Sequence, residues 1–156
     1  MNATAPQLPL NPVIREMRES DLRHVVLIER EIFLFPWSLE NFADSLRAGY
    51  LCNAMENGNI LTGYSILMLG PDEAHILTLG IGAQWQKKGL GEMMLNHLIQ
   101  QSAGHNAQSV LLDVRESNRG AAKLYKQLGF EQIATRKDYY PAMCGREDAL
   151  VMRLML

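Results

Sequence analysis

The chain has 156 residues, 47% of them apolar and 21% charged, which is the composition of an ordinary globular protein. Its net charge of −2 excludes a partner held mainly by long-range attraction to phosphate, such as nucleic acid. No apolar run is long enough to cross a bilayer, and residues 1–12 lack the basic start and apolar stretch of a signal peptide. We predict a cytoplasmic protein with a flexible tail at residues 1–12 and a single domain at residues 13–156.

The first half of the chain predicts mostly strands, with two helices near its start. Ser20 is predicted to cap a helix that Pro36 ends, and Ser38 to cap a second helix that ends at Gly49. Asn57-Gly58 between two apolar runs predicts a hairpin. The predicted strands are residues 13–17, 50–55, 60–69 and 74–81.

The second half alternates between helices and strands. Residues 90–103 predict a helix with an apolar face, and residues 118–128 predict another. The predicted strands are residues 110–114, 130–134 and 149–155. Antiparallel strands followed by strand–helix units predict an α+β fold of three layers, in which one mixed central sheet has helices on both faces.

A glycine-rich string joins the strand at 74–81 to the helix at residue 90, and it predicts an anion site. Lys87 and Lys88 precede Gly89 and Gly91, and Gln86 completes a QxxGxG pattern. The first amides of a helix lack partners and carry a partial positive charge, and glycines let an anion approach them closely. A plain tight turn is the alternative. The string matches neither GxxxxGK(S/T) nor GxGxxG.

This pattern resembles the acetyl-coenzyme A (acetyl-CoA) motif of the GCN5-related N-acetyltransferase (GNAT) superfamily. Further strings resemble its ribosomal-protein-alanine N-acetyltransferase (RimI) family. They are Phe35-Pro36-Trp37-Ser38, Val114-Arg115-Glu116-Ser117-Asn118, Leu124-Tyr125, Leu128-Gly129-Phe130, Tyr139-Tyr140-Pro141 and Gly145-Arg146-Glu147-Asp148-Ala149. The resemblance implies the GNAT fold, whose sheet splays beside the strand before the phosphate loop, with acetyl-CoA as co-substrate and no metal.

The resemblance also implies which residues contact acetyl-CoA. The strand residues would bind the pantetheine through their backbone, the loop would bind the pyrophosphate, and the asparagine would contact the cofactor while it also caps a helix. They are Leu79, Gly80, Ile81, Gln86, Lys87, Lys88, Gly89, Leu90, Gly91, Glu92 and Asn118.

Two residues are implied as catalytic. Tyr125 matches the general acid of the family, with a packing aromatic as the alternative. Asp113 lies where the family usually has glutamate, so it is the candidate general base, directly or through a water. The alternative for Asp113 is a structural ion pair with Arg115, two residues along on the same strand face.

Substrate contacts are implied for Trp37, Tyr139 and Tyr140, and the two tyrosines would lie in the loop between the last two strands. A rigid aromatic turn is the alternative for the tyrosine pair. His75 is predicted to be a surface or packing residue. No second ligand lies at a metal-like spacing from it, so we predict no metal site.

The resemblance implies an enzyme that acetylates the N-terminal amine of a protein, namely the N-terminal alanine of ribosomal small-subunit protein eighteen. We expect a monomer whose partner is that N-terminus and not nucleic acid or membrane. An acetyltransferase for lysine or small amines remains an alternative, as does an acyl-CoA-binding module without catalysis. An α-amine has a pKa about 2.5 units below that of lysine, so a modest base such as Asp113 suits it better.

Overall fold

The computed structural model describes residues 9–156, and in this range the chain forms seven strands, four α-helices and two short 3-10 turns. The strands are β1 (Pro12–Glu16), β2 (Leu51–Asn57), β3 (Ile60–Leu69), β4 (Glu73–Ile81), β5 (Ser109–Arg115), β6 (Glu131–Pro141) and β7 (Arg146–Met155). The helices are α1 (Leu22–Ile32), α2 (Leu39–Arg47), α3 (Leu90–Gly104) and α4 (Arg119–Gln127), and the 3-10 turns are Glu19–Asp21 and Ala83–Trp85.

The strands form one mixed sheet in the order β1-β2-β3-β4-β5-β7-β6. Only β4 and β5 run parallel, and every other neighbouring pair is antiparallel. The parallel pair needs a crossover, which α3 supplies between the two strands. The predicted α+β fold with one mixed sheet is confirmed.

The sheet opens between its two central strands. Pairing between β4 and β5 covers only residues 73–76 and 109–112. Beyond that point β4 stays paired with β3 as far as Ile81, while β5 stays paired with β7 as far as Arg115. A gap therefore separates residues 77–81 of β4 from residues 113–115 of β5, and the predicted splay is confirmed.

Helices cover both faces of the sheet, and each face has its own apolar core. On one face the side chains of Met94, Leu95 and Leu98 of α3 are fully buried, with residues of α4 packed beside them. Helices α1 and α2 cover the other face, where Phe42 packs edge-on against Tyr64 of β3 at a centroid distance of 5.5 Å. Burial of these residues stabilises the three-layer arrangement.

One of the two predicted helix caps is confirmed. The Asn41 N–H donates to Ser38 Oγ at 3.2 Å, as expected for the first residue before α2. The cap predicted at Ser20 is wrong, because Ser20 lies inside the 3-10 turn that precedes α1. The carboxylate of Asp21 accepts from the Arg18 N–H at 2.7 Å instead, and Arg15 binds the same carboxylate at 2.8 Å. A carboxylate paired in this way is a stronger acceptor than a hydroxyl.

The end of β6 differs from the prediction. The strand continues past residue 134 to Pro141, so Tyr139 and Tyr140 lie in a strand and not in a loop. A left-handed residue, Asp138 with φ 53°, interrupts the pairing, and Tyr140 then pairs with Glu147 of β7. Tyr140 and Glu147 are close along the chain, but the register between β6 and β7 shifts at this left-handed residue, so a uniform alternation of side chains does not reveal where β6 ends.

The predicted tail lies outside the described residues at positions 1–8. Its last residues are attached to the sheet: Pro12 begins β1, and the Asn57 side chain accepts from the Asn11 N–H at 2.6 Å and donates to the Pro9 carbonyl at 3.3 Å.

Candidate active site

The gap between β4 and β5 presents free backbone groups along one side. The Gly82 N–H donates to the Thr62 carbonyl of β3 at 2.8 Å. Because backbone groups alternate in direction along a strand, the N–H groups of Leu79 and Ile81 point the opposite way, into the gap. The carbonyl of Ile81 also points away from β3, since it accepts from Gln86 Nε2 at 3.0 Å.

Gln86 therefore has a structural contact that the sequence did not predict. Its side chain ties the loop back to the end of β4, which sets where the loop leaves the strand. The next residue, Lys87, adopts a left-handed conformation with φ 60°. The loop thus has a defined shape before any ligand binds, and its two lysines are exposed.

The start of α3 offers several amides to an anion. Gly89, the residue before the helix, has φ 82°, which glycine adopts without strain. Leu90 points its side chain into the core and is 3% exposed, so only its backbone can face a ligand. The N–H groups from Leu90 to Glu92 have no carbonyl of the preceding turn to bind. This end of the gap fits the pyrophosphate of acetyl-CoA.

Position 80 must be glycine because the side chain of Tyr64 packs closely against β4 at this point. A Cβ at this position would collide with the ring and hydroxyl of Tyr64 and would lie 2.9 Å from Ile32 Cδ1. The Tyr64 hydroxyl donates to the buried carboxylate of Glu29, which also accepts from the Trp37 N–H at 3.3 Å. Burial raises the pKa of Glu29. The strand that faces the gap therefore rests on a buried polar cluster.

Asp113 lies at the narrow end of the gap, one residue beyond the last β4–β5 pair. Its carboxylate is 3.6 Å from His75 Nε2 and 3.3 Å from Arg136 Nε. The neighbouring His75 imidazole, and then the hydrogen bond from Arg136, hold the pKa of Asp113 below its ordinary value although burial opposes this. The carboxylate is therefore ionised at neutral pH.

The alternative partner predicted for Asp113 is wrong. Arg115 shares its strand face but turns to Glu147 of β7, with Nη1 3.2 Å from Oε2. His75 is also more than a packing residue, because it is one of the two partners of Asp113. The β4–β5 register explains the contact: His75 is paired with Leu111, and Asp113 lies two residues further along the same face of β5.

Tyr125 lies on α4 beside the gap, with its ring 5.8 Å from that of Phe130. Burial raises the pKa of Tyr125 to about 12, so the phenol keeps its proton at neutral pH. Asn118 accepts from the Ala121 N–H at 3.2 Å, which confirms that it caps α4.

The predicted substrate residues separate into two groups. Tyr140 is half-buried near Asp113, and burial followed by the charge of Asp113 raises the pKa of Tyr140 to about 12. Tyr139 packs edge-on against it at 4.9 Å and is exposed. The Trp37 ring, in contrast, packs on Phe42 at 5.2 Å as part of the core under α1 and α2.

The structure adds residues that sequence reasoning missed. Phe35 is exposed and has its ring 5.4 Å from the Arg115 guanidinium, so it faces the site where Trp37 does not. Arg136 and Glu147 join the site from β6 and β7. The strings quoted from the sequence contain Phe35 and Glu147 but not Arg136, and nothing local in them indicates which side chain turns toward the site.

No group of three His, Cys, Asp or Glu residues within residues 9–156 is arranged to hold a metal ion. In the same range, no helix is both long and apolar enough to span a membrane.

The gap, the glycine-rich loop and the splayed mixed sheet define an acetyl-CoA-dependent N-acetyltransferase. The model of the acetyltransferase (GNAT) family matches residues 12–130, and the chain belongs to this family. Within it, the chain is similar to the ribosomal protein bS18-alanine N-acetyltransferases, as the following relatives show.

The relative from Haemophilus ducreyi is 35% identical over 146 residues, covering 92% of this chain and 100% of that protein. The relative from Escherichia coli is 33% identical over 141 residues, covering 90% of this chain and 95% of that protein. The crystal structure of the ribosomal-protein-S18-alanine N-acetyltransferase from Escherichia coli superimposes with a TM-score of 0.88 at 32% identity, covering 93% of this chain and 94% of that one. The resemblance read from the sequence is confirmed.

Proposed function

We propose that this protein transfers the acetyl group of acetyl-CoA to the N-terminal α-amine of a protein, and that its substrate is the N-terminal alanine of ribosomal protein bS18. The names of its relatives support the substrate. One structural observation carries the activity: the gap between β4 and β5 has unpaired amides on one side and Asp113, beside Tyr140, on the other.

The residues present fit acetyl-CoA. The amides from Leu90 to Glu92, with Lys87 and Lys88, would hold the pyrophosphate, and the N–H groups of Leu79 and Ile81 would pair with the pantetheine. Gly80 would contribute by leaving room for the Tyr64 ring behind β4, since its own N–H and carbonyl face β3, and Asn118 would contact the cofactor from the start of α4. When bound, acetyl-CoA supplies the thioester that the amine attacks.

Asp113 is proposed to receive the proton that the amine loses, directly or through a water. Its lowered pKa keeps it ionised and therefore able to accept. An α-amine has a pKa of about 7.7–8.0, so a substantial fraction is already neutral at physiological pH and a weak base suffices. His75 and Arg136 hold the carboxylate in place from two directions.

Tyr125 is proposed to donate a proton to the departing sulfur. A phenol with a pKa of about 12 keeps its proton until a strong acceptor forms beside it. Tyr139 and Tyr140 are proposed to line the path of the acceptor peptide. Trp37 is proposed to act on the peptide through the backbone that precedes α2, because its ring is engaged with Phe42.

We also propose that residues 13–156 work as a single acetyltransferase domain and as a monomer in the cytoplasm, without a metal, nucleic acid or membrane.

The experiment compares three acceptors by release of free coenzyme A. They are a peptide with the N-terminal sequence of bS18, the same peptide with its α-amine blocked, and a blocked peptide that contains lysine. We expect turnover with the first peptide only. Turnover with the lysine peptide alone would favour the side-chain alternative, and binding of acetyl-CoA without turnover on any amine would favour a non-catalytic module.

A further inference from the structure

Arg115, at the end of β5, joins three other parts of the site. Its Nη1 donates to the Pro141 carbonyl at 2.9 Å and lies 3.2 Å from the carboxylate of Glu147. Its guanidinium carbon is 4.4 Å from the ring centroid of Tyr140 and 5.4 Å from that of Phe35. The guanidinium is thus bound by two oxygen atoms and lies over two aromatic rings.

A guanidinium suits this set of contacts better than an ammonium. A guanidinium binds oxygen atoms in its plane while its faces remain free to stack on rings, whereas an ammonium has no face. The two rings belong to segments whose side chains are mostly exposed: Phe35 lies between α1 and α2, and β6 is exposed from Glu131 to Tyr139. A contact that bridges these segments therefore determines how far apart they lie.

Glu147 extends the bridge to the cofactor side. Its second oxygen accepts from the Ser117 N–H at 2.6 Å, directly before the Asn118 cap of α4. The same carboxylate compensates the charge of Arg115. This matters because an α-amine with a pKa of about 7.7–8.0 arrives largely as a cation at neutral pH, and an uncompensated arginine would repel it.

We infer that Arg115 is a positioning residue for the acceptor peptide, which sets the separation between Phe35 and Tyr140 as the two walls of the peptide path. It acts through these rings and through Glu147. The inference rests on the proposed function, because it requires an amine acceptor that enters between these walls. It predicts a larger effect on the peptide than on acetyl-CoA, whose predicted contacts lie mainly on β4, the glycine-rich loop and the start of α3, with only Asn118 near Glu147.

The test measures KM for the bS18 peptide, KM for acetyl-CoA, kcat and the melting temperature for three variants. Arg115→Met keeps the aliphatic stem and removes the planar cation, and Arg115→Lys keeps the charge without the plane. Arg153→Met is the matched control, because Arg153 is exposed on β7 and forms no ion pair within residues 9–156.

We expect Arg115→Met to raise the peptide KM at least tenfold and Arg115→Lys to recover only part of the loss. The KM for acetyl-CoA should stay within twofold in both, and Arg153→Met should match the wild type throughout. An unchanged peptide KM in Arg115→Met, or equal rises in both KM values, would overturn the inference.

A double-mutant cycle keeps the inference testable if Arg115→Met folds poorly. Glu147→Gln keeps the shape of the side chain but removes its charge and replaces one acceptor oxygen by an NH2 donor, so it should raise the peptide KM several-fold in the wild type. In the Arg115→Lys background the effect should be smaller, since the bridge is already broken. Additive effects would overturn the inference.

Assays of the wild-type protein distinguish a failure of this inference from a failure of the proposed function. Turnover with the lysine peptide alone would contradict the proposed function, and the KM ratios would then be measured with that acceptor. Absence of turnover with every amine would overturn both. Turnover with the bS18 peptide and unchanged KM values in the Arg115 variants would overturn the inference alone.

Discussion

The two sides of the gap are built from different parts of the chain. The side proposed for acetyl-CoA consists mostly of backbone: the amides of β4 and the first turn of α3, with glycines where a side chain would be strained or would collide. The side proposed for the amine consists of side chains from β4, β5, β6 and β7, joined by ion pairs and ring contacts.

This difference predicts different responses to substitution. Backbone contacts survive most side-chain changes and fail when the backbone conformation or the local charge changes. Side-chain contacts fail one residue at a time, and they depend on pH because carboxylates and a histidine take part in them. The following predictions test whether the two sides can be disturbed independently.

The largest expected effect belongs to Tyr125, which lies beside the gap and is proposed to act on the departing sulfur. Tyr125→Phe keeps the ring against Phe130 and removes the hydroxyl. We expect kcat to fall about 10²–10⁴-fold, the range for loss of a general acid. The affinity for acetyl-CoA should change little, as measured by calorimetry. Tyr50→Phe, in the core under α1 and α2, is the control. Full turnover in Tyr125→Phe would reduce Tyr125 to a packing residue.

A substitution at Gly89 tests the side of the gap proposed for acetyl-CoA, which consists mostly of backbone. Gly89→Glu places a charged residue at φ 82° beside the proposed pyrophosphate. We expect acetyl-CoA affinity to fall about 100-fold, since a left-handed conformation costs a non-glycine residue about 1–2 kcal/mol and the carboxylate adds repulsion. Gly89→Asn is the matched control, because asparagine tolerates this conformation without charge, and it should lose only a few-fold. Equal affinities in all three proteins would contradict the phosphate assignment.

Asp113→Asn tests the side of the gap proposed for the amine, through the pH dependence of kcat. We expect kcat to fall about 100-fold at pH 7, the lower end of the range for a general base. The deficit should narrow toward pH 9, where the α-amine with its pKa near 8 is already neutral. An Asp113→Asn enzyme with full rate and an unaltered profile from pH 6 to 9 would exclude the base role.

The same substitution affects stability with a defined sign. Because the folded-state pKa of Asp113 is lowered, its ionised form stabilises the fold above the ordinary value of 3.8, and this contribution is lost as the pH falls through the folded value. Asp113→Asn should therefore lower the melting temperature at pH 7 and not at a pH below both values. Measuring the melting temperature together with kcat distinguishes a loss of stability from a loss of catalysis.

The smallest effect is expected at Glu29, whose buried carboxylate accepts hydrogen bonds from the Trp37 N–H and the Tyr64 hydroxyl. Its raised pKa means that the folded state disfavours the carboxylate, so the unfolding free energy falls as the pH rises from 4.5 through the folded value. Glu29→Gln removes this dependence and can keep both hydrogen bonds. We expect the variant to gain stability relative to the wild type as the pH rises, reaching about 1 kcal/mol. Chemical denaturation at pH 4.5 and pH 8 measures the difference, and parallel curves would contradict the prediction.

The backbone side of the site was largely visible in the sequence. The Gln86–Gly91 string is contiguous, and helix-terminus amides and glycine conformations depend on neighbours a few residues away. The hairpin at Asn57-Gly58 and the apolar face of α3 were predicted for the same reason, and the structure has both. Even here the sequence did not show that the Gln86 side chain binds the Ile81 carbonyl.

For the side of the gap proposed for the amine, the sequence indicated individual residues but not their contacts. Asp113 and Tyr140 could be named, but the pairing of Asp113 with His75 and Arg136, and of Arg115 with Glu147, could not. These partners meet because β5 pairs with β7 in one register and β6 pairs with β7 in another, across a left-handed residue at Asp138.

The sequence by itself determined most of the elements, the family and the position of the glycine-rich string before α3, because each depends on short-range patterns of polarity and glycine. The tertiary structure decided the extent of β6, the burial of the Trp37 ring and the direction in which Arg115 turns. Those features depend on strand register over tens of residues, and a shift of one residue would turn every side chain to the other face.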